Sequence, residues 1–183
     1  MRHRRHGAAT VTQDDDPLGV LLAARPGEDD PAPESESQDL VKLVVFALGE
    51  QRFALPGARI AEILPLVPIH PVPGCPPALE GVISVRGEIT SVLCLATLLG
   101  RPTPAPATRG AILLAGTREI TSGLRVERVV DVVDIAGHDI LEPPPTLPSM
   151  LARVTTGVFT AKGRTVAVLD LERLFIDFMK ESA

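Results

Sequence analysis

The chain is 183 residues long, 45% hydrophobic, and carries a net charge of −5 with no Trp or Tyr. That length holds one domain or two very small ones sharing a core, and no apolar run approaches the ~18 residues of a membrane span, which argues against direct membrane insertion. The acidic balance leaves no basic footprint for nucleic acid, and the missing aromatics remove the stacking platforms that hold single strands.

The charge is unevenly placed. Residues 1–39 hold four Arg against nine Asp and Glu, so this stretch alone carries −5, while residues 40–183 hold fourteen of each sign. With "QDDDP" and "PGEDDPAPESESQD" and few large apolar residues, residues 1–39 read as a disordered acidic tail. The short patch Leu18–Ala24 is the one segment in it suited to docking on a partner.

From Leu40 to Pro56 the text is apolar and β-rich, broken at Gly49-Glu50, which predicts a hairpin. "ARIAEIL" follows, with Ile60, Ile63 and Leu64 spaced as a helical stripe that Pro65 stops. A Pro-rich connection leads to "GVISV", the tight turn "RGE", the return strand "ITSVLCL" and a short helical turn ended by Gly100. "RPTPAPATR" is a stiff polar linker. Another hairpin comes next, bending at Gly116-Thr117, and then "VERVVDVVDI" and a second Pro-rich connection. The last hairpin turns at Lys162-Gly163, and a C-terminal helix begins after Asp170, a fitting N-cap.

The plan is written twice. Gly81–Leu99 and Gly157–Phe175 share seven of nineteen positions without a gap, 76 residues apart, with Arg86 opposite Lys162. Val129-Val130-Asp131-Val132 stands where the first half has Ile60-Ala61-Glu62-Ile63. Many short strands with Gly turns indicate small barrels, and halves of this size (about 40–100 and 110–180) are marginal alone. Two packed together relieve that and create a groove between them.

Catalysis has little to work with: no Ser/His/acid arrangement, phosphate loop or H-E-x-x-H motif appears. Cys75 and Cys94 fit no zinc or redox spacing, and the four His do not cluster with them, so no metal or cofactor is expected. Without an export signal both thiols read as reduced, in a cytoplasmic protein.

"LVVFALGEQRFALPGARIAEILP", "PVPGCPPALEGVISVRGEITSVLCLATLLG", "GLRVERVVDVVDI" and "TGVFTAKGRTVAVLDLERLF" together resemble the CheW-like family of bacterial chemotaxis coupling proteins over residues 40–178. The resemblance implies a mostly β domain over residues 40–180: two SH3-like five-stranded β-barrels from the duplicated hairpin unit, short helices and a C-terminal helix. It implies no catalytic activity, but an adaptor between the cytoplasmic tip of a methyl-accepting chemoreceptor and the regulatory domain of a histidine autokinase. The kinase would pack on the first barrel and the receptor tip would enter the groove. The family's functional positions fall on Ile60, Glu62, Gly81, Arg86 and Gly87. Ser84, Cys94 and Ala96 depart from its pattern, the last two where an Asp and a base are usual. The other class that fits the sequence is an SH3-like interaction module outside chemosensing.

Residue by residue, Arg86 is expected to pair with Glu62 beside the binding face. Gly81 and Gly87 are backbone requirements, while Ile60, Ile63, Val129 and Val132 read as core and Cys94 as a small buried apolar residue.

Overall fold

A computed structural model describes residues 39–102 and 109–181; the expected acidic tail, up to residue 38, and most of the expected linker lie outside them. The first half contributes β1 (Leu40–Leu48), β2 (Gln51–Pro56), β3 (Ile60–Pro65), β4 (Leu79–Val85), β5 (Glu88–Cys94) and helix α1 (Leu95–Leu98). The second contributes β6 (Ala111–Gly116), β7 (Thr121–Val126), β8 (Arg128–Ala136), α2 (Ser149–Val154), β9 (Thr155–Ala161), β10 (Arg164–Leu169) and α3 (Leu171–Glu181).

These strands form two five-stranded sheets, ordered β8-β1-β2-β10-β9 and β3-β6-β7-β5-β4. The two halves of the sequence are therefore not the two barrels. Each half donates its first hairpin to the sheet built around the other half's second hairpin, with β2 parallel to β10 and β7 parallel to β5. The crossovers are short: a three-residue 3-10 turn, Gly57–Arg59, carries the chain from one sheet to the other, and Glu127 alone separates β7 from β8. Each sheet closes on itself through the Pro-rich connection after β3 or β8. His70 bridges Val82 on β4, and Leu141 bridges Val158 on β9, with Val82 and Val158 again 76 positions apart.

The exchange explains why the first hairpins are apolar on both faces. Leu43 and Val45 fill one barrel, whereas Val44, Phe46 and Leu48 point into a central cluster shared with the other sheet. Likewise Ile112 and Leu114 fill the second barrel, while Ala111, Leu113 and Ala115 join the central cluster. Strands covered on both sides need no polar alternation. Leu171, Leu174 and Phe175 of α3 seal the same cluster, and Asp170 caps that helix by accepting the Arg173 N–H at 3.0 Å.

Two local expectations are overturned. "ARIAEIL" is not a helix: after the 3-10 turn it is the edge strand β3, paired with β6, and its burial alternates residue by residue. β-branched residues and the open edge of β6 outweigh a helical spacing only seven residues long. As a result Ile63 (41% exposed) and its counterpart Val132 (49%) face outward rather than into the core, while Ile60 and Val129 pack against the central cluster. The second Pro-rich connection also contains a helix, α2, which the sequence reading lacked.

Candidate functional site

The β4–β5 hairpin turns on two residues, Arg86 (φ 52°) and Gly87 (φ 89°). Positive φ at both central positions marks the primed turn whose twist matches the flanking strands. Gly87 supplies one such residue without strain, and Arg86 accepts the conformation with its side chain in solvent, 80% exposed. Its Nη2 lies 3.0 Å from Oε2 of Glu62 on β3. β3 and β4 are the two outer strands of the sheet, so the ion pair spans the seam of the barrel.

Gly81 sits lower on the same hairpin, buried, with φ 147°. A Cβ there would lie 2.1 Å from the His70 carbonyl oxygen, so any side chain would break the bridge that closes the barrel. Ile60 is two residues from Glu62 but packs inward on the central cluster. Of the five expected positions, Glu62 and Arg86 thus meet at the surface, Gly87 shapes the turn, and Gly81 and Ile60 support it from beneath. Ile63, Val67, Val72 and Ile89 are exposed apolar residues of the same barrel, Ile89 by 80%.

The second copy has the same device. Lys162 (φ 50°) opens the β9–β10 turn, and its Nζ donates to Asp131 Oδ2 on β8 at 2.8 Å. The Lys162 hydrogen bond, helped by the Val132 N–H, holds the Asp131 carboxyl below the usual carboxylate range. The sequence placed both residues opposite Glu62 and Arg86; their pairing becomes clear once the V-x-acid-V element is read as an edge strand.

Two features escaped the sequence reading. Arg125 on β7 is 6% exposed and forms a bidentate ion pair with Glu80 on β4, while its Nη2 also donates to Cys94 Sγ at 3.4 Å. The Glu80 hydrogen bond raises the Arg125 pKa further, against burial, with Cys94 adding to the effect. The signal was present as single charges inside the apolar strands "LEGVISV" and "TSGLRV". The second feature is a cleft of about 410 Å³ between the β6–β7 turn and α3, lined by Arg59, Ile120, Glu172, Phe175 and Ile176. Arg59 and Glu172 pair across its wall at 2.6 Å. Through Ile120 and Phe175 it borders the central cluster.

Among the described residues no group of His, Cys, Asp and Glu is arranged to hold a metal ion, and no helix is long and apolar enough to cross a membrane. What the geometry offers is a guanidinium held in solvent by an ion pair, on a barrel that also exposes several apolar side chains.

The chain is similar to known proteins over most of its length. The family model of the CheW-like domain matches residues 42–178. A probable chemotaxis protein CheW of Rhizobium etli is 30% identical over 153 residues, covering 83% of this chain and 98% of its own length. The chemotaxis protein CheW of Rhizobium meliloti is 29% identical, over 78% of this chain and 92% of its own. The crystal structure of the scaffolding protein TtCheW from Thermoanaerobacter tengcongensis superposes with a TM-score of 0.67 at 27% identity, covering 74% of this chain and 92% of that one.

Proposed function

This chain belongs to the CheW-like family, whose members are chemotaxis scaffolds, and we propose that it couples chemoreceptors to a histidine autokinase in the cytoplasm by binding both. The regulatory domain of the kinase docks on the barrel that carries Glu62 and Arg86. The cytoplasmic tip of a methyl-accepting receptor enters the cleft between the β6–β7 turn and α3. The protein binds and does not catalyse.

The observation that carries this reading is the Glu62–Arg86 pair at 3.0 Å. An exposed pair contributes only ~0–1 kcal/mol to stability. Its use lies in holding a planar, five-donor guanidinium in solvent, on a barrel that also exposes Ile63 and Ile89. Arginine is enriched among the residues that carry most of the binding energy of protein interfaces. Ile60, Gly81 and Gly87 serve it by fixing the backbone of β3 and the hairpin.

The test is calorimetry of the full chain against a kinase regulatory domain and against a receptor-tip fragment, separately and together. Binding of both, with neither displacing the other, is the expected result. Competition between them for one surface, or no affinity for either below the millimolar range, would sink the two-face reading.

A further inference from the structure

The second charged cluster lies at the base of the hairpin that carries Arg86. Pairing of β4 with β5 runs Leu79↔Leu93 and then Gly81↔Val92, so Glu80 is the extra residue of a bulge. A bulge bends its strand and re-aims the residues beyond it. The Glu80 side chain reaches past β5, over Cys94, to Arg125 on β7, which is the register partner of Cys94. Three strands are thereby tied at one level by a bidentate pair that is 6% and 17% exposed.

The second copy has the same bulge without the same tie. Its register runs Leu169↔Thr155 and Val168↔Gly157, which leaves Thr156 as the extra residue. Thr156 Oγ1 donates to the Val168 carbonyl at 3.3 Å and goes no further. At the position of Cys94 that copy has Asp170, spent on capping an eleven-residue helix, whereas α1 has four residues and no side-chain cap. The first copy thus has its acid at the bulge, paired with Arg125, where the second has its acid at the helix cap.

We propose that Glu80 and Arg125 are positioning residues for partner recognition: their pair locks the β4 bulge and so sets where the Arg86 turn stands relative to Glu62. The proposal rests on the partner face described above. Buried ion pairs are weak sources of stability, because apolar replacement of both partners is often neutral, yet removal of one leaves an uncompensated charge. Orientation is therefore what the pair supplies here, and stability and orientation can be separated.

The test uses two variants of the full chain. Glu80→Gln strands the Arg125 guanidinium and should lower Tm by about 10 °C. The double variant Glu80→Met/Arg125→Met should return Tm to within about 5 °C of the parent. In that double variant the Val82 amide, bonded to the His70 carbonyl at 2.9 Å, should exchange at least tenfold faster. The Val158 amide, bonded to Leu141 at 2.8 Å in the other barrel, is the internal control and should not change. Affinity for the kinase regulatory domain, measured well below Tm, should fall about tenfold. Unchanged Val82 exchange in the double variant overturns the proposal. So does parental affinity in the double variant when Arg86→Asn weakens binding about thirtyfold. If Arg86→Asn also binds like the parent, the partner reading itself has failed, and the Val82 result still decides whether the pair positions the hairpin.

Discussion

Replacing Arg86 by Asn separates the two roles that one residue plays, because Asn-Gly is a favoured pair for a turn with positive φ at both central positions. The parent holds Arg at φ 52°, a conformation Asn adopts more readily. The lost ion pair, with Arg86 80% and Glu62 32% exposed, is worth ~0–1 kcal/mol, and the turn preference offsets part of it. For a domain of this size that is a change in Tm of no more than about 3 °C in either direction. Binding should respond on another scale. Truncating an arginine at the centre of an interface commonly costs ~2 kcal/mol or more, a thirtyfold loss of affinity. Arg86→Lys should lose most of that too, since an ammonium keeps the charge but not the planar fork. The assay is titration calorimetry against one kinase regulatory domain, with Lys162→Asn as the matched control in the other barrel. Equal losses at Arg86 and Lys162, or an affinity within threefold of the parent at Arg86, would remove this barrel mouth from the interface.

The same geometry sets three further outcomes. Gly81→Ala, whose Cβ would meet the His70 carbonyl oxygen, should destabilise on the order of 3 kcal/mol, visible as a fall in the urea midpoint that Gly87→Ala does not match. The Asp131 carboxyl should titrate below the ordinary aspartate range in a carbon-detected NMR titration and move upward in Lys162→Met, so whatever stability the pair lends is present above the ordinary range and lost only as pH falls through the lowered value. A protease site placed in residues 103–108 and cleaved should leave one particle of unchanged size on gel filtration, since every sheet contains strands from both sides of the cut; separation of the fragments without denaturant would contradict the exchanged topology.

Much of this was legible in the chain, for reasons that differ element by element. The hairpins at Gly49, Arg86-Gly87 and Lys162-Gly163 were plain because turn chemistry is local and glycine marks it. The Glu62–Arg86 pair was anticipated through the family resemblance, while the duplicated text aligned Asp131 with Glu62 and Lys162 with Arg86 without pairing them. The strand β3 was misread because seven residues with Ile at 60 and 63 satisfy a helical stripe as well as a strand, and only the open edge of β6 decides between them. The exchange of hairpins was invisible for a deeper reason. Repeat identity says which segments are alike, whereas strand pairing depends on where a three-residue turn sends the chain. The signal lay in burial: β1 and β6 are apolar without alternation, which a sheet with one solvent face does not allow.

Comparing the two copies shows where specialisation resides. Positions that match are those the geometry forces. Gly81 and Gly157 admit a crossing strand, Gly87 and Gly163 complete the primed turns, and an acid on the outer strand meets a base in each turn. Positions that differ are free of those demands, and they gather on the first copy's hairpin. Arg86 stands against Lys162, the exposed Ile89 against Thr165, and the Glu80–Arg125 tie against a single Thr156 hydrogen bond. Each difference lies where the proposed binding face would use it: a planar donor, an apolar side chain left in water, and an ion-paired base. Both barrels close by equivalent bridges and fill with apolar side chains, so closure and filling do not require any of the three. On the proposed partner reading, the first copy's hairpin is the one adapted to binding and the second copy's serves mainly as structure.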